Sequence, residues 1–352
     1  MTERPPHPTR IRRILRVAFA VVASFAVAVL IVVIGVLTTL RLQYTGSPGE
    51  ADRSRGRDAL WLGHAWLDGR KGPADLAALG DRLRTTGVHD VYVHAGPLEN
   101  DGSLDPARYP QAPWFLAGMR TALPGVRVQA WLGNVVGPAD PARPDRLDLS
   151  RGPNRDRVVA SAAQALDAGF DGVHFDLEPM GDGNTDYLDI LGRARDAAHA
   201  RGAVLSVAAH QIEPAGNLVD LARLGGADRT KWWTPGYFTA IASRVDQIAV
   251  MAYDTWMPTR GLFGGYVTRQ TELALEHTPE RTDLLIGLPF YHDDTIGHHE
   301  NAERAGTAAR AVRIGLDAAG SDRRNFGVAL YVDFAATEED WAAYHREWMR
   351  QP

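Results

Sequence analysis

From residue 59 onward the chain alternates between two kinds of hydrophobic pattern. Short runs that are wholly apolar or apolar at every second position read as strands: "ALWLGHAW", "DVYVHAG", "RVQAWLGN", "GVHFDLEP", "AVLSVAAH", "QIAVMAYD", "LLIGLPFY" and "GVALYVDF". Longer stretches with helical spacing separate them. "NRDRVVASAAQALDAG" opens at Asn154 and stops at Gly169, and "NAERAGTAARAVRIGLDAAG" opens at Asn301 and stops at Gly320. "TEEDWAAYHREW" opens with Thr337 and Asp340 at capping-box spacing. "KWWTPGYFTAIASRV" reads as a helix with Trp232 and Trp233 packed at its start.

Eight strands, each followed by a helix, predict a (β/α)8 TIM barrel. An open doubly wound sheet is the alternative, but no G-x-G-x-x-G turn is present to serve it. In the fourth strand, Val173, Phe175 and Leu177 fall on one face, and His174, Asp176 and Glu178 on the other. A barrel puts the first set against helices and the second in the lumen, climbing toward the C-terminal rim. Carboxylates there must be paired or hydrogen-bonded, because burying them bare costs several kcal/mol each, on the order of the penalty for an unpaired buried ion.

The N-terminus follows another pattern. Residues 17–40 contain no Asp, Glu, Lys or Arg and are almost entirely apolar, which suffices to span a bilayer. Arg4, Arg10, Arg12, Arg13 and Arg16 precede this run, and only Arg41 closely follows it. The positive-inside rule then predicts a single-pass protein of the cell membrane, N-terminus cytoplasmic and the rest extracytoplasmic. A cleaved signal peptide is the rival reading; the length of the run and the want of a clear small-x-small site favour an uncleaved anchor. The expected organisation is a basic tail (1–16), an anchor (17–40), a linker (41–57) and a barrel (58–352). Net charge is −5, and residues 1–41 carry six arginines against one glutamate, so the barrel is more acidic than the whole. This argues against nucleic acid as a partner and suits a neutral or amino-sugar ligand. The chain has no cysteine, which excludes disulfides and thiolate metal sites.

"DGVHFDLE" (171–178) resembles the D-G-x-D-x-D-x-E signature of family 18 glycoside hydrolases, the chitinase-like barrels. "MAYD" (251–254) is similar to their M-x-Y-D on the sixth strand, and "GLPFY" (287–291) to their seventh-strand motif. The resemblance covers the whole region after the anchor. It implies a retaining glycosidase without metal or organic cofactor, acting on N-acetylhexosamine glycans with the substrate's own acetamido oxygen as nucleophile. Glu178 would be the general acid, Asp176 would hold the acetamido N–H, and Tyr253 and Asp254 would position the same sugar. Asp171, of opposite parity, would fix the strand entrance. Met251, Trp256, Tyr331, Tyr291 and His210 are candidate substrate-binding residues, with His292 beside Tyr291 lining a subsite. An anchored enzyme facing a cell wall suits a peptidoglycan-type glycan.

Three positions depart from the family pattern. His174 stands where the family has an aspartate, and is expected to act as donor to Asp176. Tyr331 replaces the eighth-strand tryptophan, and "AWLGN" stands in place of S-x-G-G on the third strand. A catalytically inactive glycan-binding (lectin) protein on the same scaffold is therefore the rival function. A metal site from His174, His210 and Asp176 lacks H-x-H or H-x-x-x-H spacing, and "HHE" (298–300) reads as solvated surface. About 35 residues separate Tyr291 from Phe326, room for one loop and a helix but no inserted domain, which predicts an open cleft.

Overall fold

The computed structural model describes residues 8–49, 52–138, 142, 145–224 and 231–349. Its strands are β1 (Asp58–Leu62), β2 (Val88–Pro97), β3 (Arg127–Val135), β4 (Gly172–Glu178), β5 (Val204–Ala209), β6 (Gln211–Ile212), β7 (Trp232–Trp233), β8 (Gln247–Val250), β9 (Asp283–Pro289) and β10 (Phe326–Tyr331). Eight of them close into a parallel barrel in the order β1-β10-β9-β8-β5-β4-β3-β2, and β6 and β7 form a small side sheet. The helices are α1 (Pro8–Gln43), α2 (Pro73–Leu83), α3 (Ala112–Ala122), α4 (Gly152–Asp167), α5 (Thr185–His199), α6 (Leu218–Leu224), α7 (Pro235–Ala242), α8 (Arg260–His277), α9 (Ala305–Ala318) and α10 (Glu338–Glu347). This is the (β/α)8 TIM barrel that the pattern predicts, preceded by one apolar helix; within α1, Arg16–Gln43 is long and apolar enough to cross a membrane.

Alternation along the strands sorts two cores. Val173, Phe175 and Leu177 join the large core between strands and helices. The lumen holds a second cluster built on Ala59, Trp61, Tyr92, Trp131, Leu285 and Ala329. Beneath it lies a polar layer. Arg127 grips the buried Asp90 through two 2.8 Å hydrogen bonds, and Gln129 and Gln247 donate to the same carboxylate at 2.7 and 3.0 Å. Buried polar groups in this layer are mutually satisfied, which a packed lumen requires. Asp171 acts at the strand entrance as expected: its Oδ2 accepts from the Val128 N–H at 2.9 Å.

The described residues of the stretch expected as a linker (41–57) make hydrogen bonds to the barrel. Arg310 donates to the carbonyls of Tyr44 and Gly46 at 2.9 and 2.8 Å, and Arg313 to those of Gly49 and Asp52 at 2.9 and 2.8 Å. Trp232 and Trp233 begin no helix: they pair with Gln211 and Ile212 as β7, and α7 starts at Pro235. Pro235 explains the boundary, since a proline opens a helix well but disfavours helical geometry in the residue before it. The capping box at Thr337 and Asp340 forms as predicted.

Candidate active site

The register of β4 against its neighbours assembles the site. Trp131 of β3 and Ser206 of β5 stand level with His174, and Gly133 stands level with Asp176. Asp176 Oδ2 accepts a 2.9 Å hydrogen bond from Trp131 Nε1–H. Its other oxygen, Oδ1, is buried with no partner at hydrogen-bonding geometry among the described residues. Burial raises the Asp176 carboxyl to about 6, against the lowering effects of Trp131 and of a hydrogen bond shared with the Glu178 carboxyl.

Glu178 follows at the strand tip. Burial, together with the charges of Asp176 and Asp254, pushes its carboxyl well above the ordinary range. Its side chain keeps 43% exposure toward the open cleft. His210 Nε2 lies 3.4 Å from Glu178 Oε1. The same nitrogen accepts the Met180 N–H at 3.2 Å, which makes it a lone-pair acceptor, and burial lowers this imidazole to about 4. A neutral His210 brings no positive charge to Glu178, so nothing on that side offsets the burial and the negative neighbours that favour the protonated acid.

His174 does not serve Asp176. Its Nε2 accepts from Trp61 Nε1–H at 3.2 Å, so Nδ1 carries the proton and donates to Ser206 Oγ at 2.7 Å. The Ser206 hydroxyl in turn donates to Gln129 Oε1 at 2.7 Å. The ring stacks on Tyr92 with centroids 3.8 Å apart, and burial lowers it to about 3. The expected donor to Asp176 is replaced by the Trp131 indole. Sequence reasoning missed Trp131, although its parity on β3 already placed it on the lumen face beside β4.

The aromatic floor is made by Tyr331 stacked on Tyr253 (centroids 5.3 Å), with Tyr291 edge-on to both. Burial raises Tyr253 well above 10, helped by the nearby tyrosines and carboxyls. Met251 packs against the lumen cluster and lines the cleft. Asp254 and Trp256 both adopt left-handed backbone, at φ 54 and 60°. Trp256 is 56% exposed at the rim, with the Lys231 ammonium 4.6 Å from its ring centroid. The cleft holds about 630 Å³, opens to solvent and is lined by Asp176, Glu178, His210, Tyr253, Asp254 and Tyr331 among others. His292 takes no place in it; its Nε2 lies 2.8 Å from the Asp340 carboxylate at the start of α10.

The His298–Glu300 segment is also not plain solvated surface, because His298 is 1% exposed. Its Nδ1 stands 3.2 Å from Asp254 Oδ1 and 3.4 Å from Glu303 Oε2, at ion-pair distance rather than ideal hydrogen-bond alignment. Glu303 Oε1 accepts from both the N–H and the hydroxyl of Thr255, each at 2.9 Å, and Tyr291 donates to Asp254 Oδ1 at 2.6 Å. Burial opposes charge on Asp254, but His298 and Tyr291 outweigh it and hold the carboxyl below its ordinary value. Among the described residues, the donors near enough to share an ion are those of Asp254, His298 and Glu303; His174, His210 and Asp176 do not converge as one group.

An eight-stranded barrel with a carboxyl pair at one strand tip, above an aromatic floor in an open cleft, is the architecture that solved structures can be compared with. No protein-family model matches the chain, and no curated protein sequence matches it. Solved structures do. A chitinase from Chromobacterium violaceum ATCC 12472 superposes with a TM-score of 0.57 at 16% identity, covering 82% of this chain and 98% of that one. The spore cortex-lytic enzyme SleL of Bacillus megaterium QM B1551 gives 0.57 at 14% identity, covering 83% and 74%. A class V chitinase from Pseudomonas fluorescens Pf-5 gives 0.54 at 13%, covering 81% and 97%. The chain shares the barrel fold of these enzymes across nearly all of its length after the apolar helix.

Proposed function

We propose that this chain is a glycoside hydrolase acting on β-linked glycans that contain N-acetylhexosamine, held at the outer face of a membrane by α1. The observation that carries this reading is the state of the two carboxyls at the end of β4. Glu178 is pushed toward its protonated form beside a neutral His210, as a general acid needs. Asp176, two residues earlier, keeps a buried oxygen beside the Glu178 carboxyl with no donor at hydrogen-bonding geometry among the described residues, where an acetamido N–H would complete its hydrogen bonding. Chitinases and a spore cortex-lytic enzyme sharing the fold support a substrate of this class.

In this reading Glu178 protonates the glycosidic oxygen as the bond to the anomeric carbon breaks. The substrate's acetamido oxygen attacks that carbon, and Asp176 takes up the acetamido N–H and balances the positive charge that develops. Water then opens the oxazoline, with Glu178 returning as base, so the anomeric configuration is retained. Tyr253 and Asp254 position the acetamido group, and Tyr331 supplies an apolar face beneath the sugar.

The displaced role of His174 favours one other reading, a glycan-binding protein without turnover. Proton NMR of the first product from N-acetylglucosamine oligosaccharides separates them. A β-anomer formed first supports the mechanism, and an α-anomer contradicts it. Saturable binding with no product establishes the lectin.

A further inference from the structure

The loop after β9 buries an imidazole and a carboxylate that the proposed reaction does not use. His298 and Glu303 are each 1% exposed, which is unusual for ionisable groups that lack a charge partner. They have partners. Nδ1 of His298 faces both Asp254 at 3.2 Å and Glu303 at 3.4 Å, Nε2 is buried with no partner among the described residues, and the ring lies against Tyr291 with centroids 4.3 Å apart. The Lys231 ammonium donates to the Asp254 carbonyl and feels the charge of both carboxylates. Glu303 holds Thr255 from both its N–H and its hydroxyl, and Trp256 N–H donates to the Gly297 carbonyl at 3.0 Å. The loop therefore clasps each of the three residues from Asp254 to Trp256, two of which have left-handed backbone.

We propose that His298 and Glu303 form a buried positioning dyad, with His298 as an imidazolium that presents Nδ1–H to both carboxylates and fixes Asp254 and its charge beside the cleft. The inference rests on the glycosidase reading above. A protonated His298 together with Lys231 balances the two carboxylates, Asp254 and Glu303. The contacts with Asp254 and Glu303 overcome burial and raise His298 to about 9. The consequence reaches the general acid, because the charge on Asp254 is one cause of the raised affinity of Glu178 for its proton. The dyad thus acts on Glu178 through Asp254.

Two measurements on the full chain in lipid nanodiscs test this. In the first, ¹³Cε1-histidine NMR follows His298, assigned with His298→Gln. The expected midpoint is about 9, falling toward the ordinary value of about 6.5 in Glu303→Gln or Asp254→Asn. A wild-type midpoint at or below about 6.5 overturns the dyad, as does a stoichiometric metal whose chelation moves that resonance. In the second, His298→Gln and Glu303→Gln should each lower kcat/KM by about 10- to 100-fold, the scale of a lost charge-assisted contact. Each should add less than about twofold in an Asp254→Asn background, since all act through one group. Full additivity would contradict the proposal. If wild type hydrolyses nothing, the glycosidase reading fails while the NMR arm still decides the dyad.

Discussion

Asp176 is held between opposing influences. Burial raises its carboxyl to about 6, while Trp131 pulls it down through a 2.9 Å hydrogen bond. Removing that donor while keeping the ring, in Trp131→Phe, should lower kcat/KM about tenfold, the scale of one hydrogen bond to a charged group. The sign of the pH effect on stability follows from the same residue. Asp176 binds its proton more tightly folded than unfolded, so its contribution is fully present below about pH 4 and is lost as pH rises through about 6. Asp176→Asn should therefore raise stability by about 2–3 kcal/mol at pH 7.5 and leave it unchanged at pH 3.5, read by chemical denaturation. Glu178 shifts the same way, which makes this pair of carboxyls a stability cost at neutral pH. The lumen positions of His174, Asp176 and Glu178 were legible from parity alone. The partners of His174 were not: a ring nitrogen's choice depends on register across three strands and on Trp61 reaching across the lumen. His298 was hidden for a related reason, since a polar loop gives no periodic sign of folding back over the cleft.

At the scale of elements, the strands were readable and the connections less so. All eight barrel strands lie within or beside the apolar runs that announce them, because a strand buried on both faces leaves a strong signal. The strap from Tyr44 to Asp52 leaves none, since its bonds are backbone carbonyls met by arginines of α9. Its seating depends on α8, where a Cβ at Gly265 would run into the Leu40 carbonyl and one at Gly264 into the Tyr44 ring. Gly265→Leu should therefore expel the strap and expose residues 41–54 to limited proteolysis, leaving the barrel folded. The base of the barrel is less forgiving. Arg127→Met leaves Asp90, 1% exposed, without its arginine and with only His89, 3.3 Å away, as a potential cationic partner, and should cost about 3 kcal/mol in urea unfolding.

For the whole molecule, one apolar helix and one closed barrel account for nearly all the described residues. The fold was legible because it repeats a unit eight times, so an error in one unit leaves the pattern intact. The site was legible only in part, because its chemistry sits at strand tips, where each loop is unique. The central claim is that Glu178 is the proton donor in glycosidic cleavage. The most direct measurement compares the full chain with Glu178→Gln on N-acetylglucosamine oligosaccharides and purified peptidoglycan from pH 4 to 8, following new reducing ends. Wild type should give product, declining as pH rises and Glu178 loses its proton, and the variant at least about 100-fold less. Equal rates from the two proteins would contradict it.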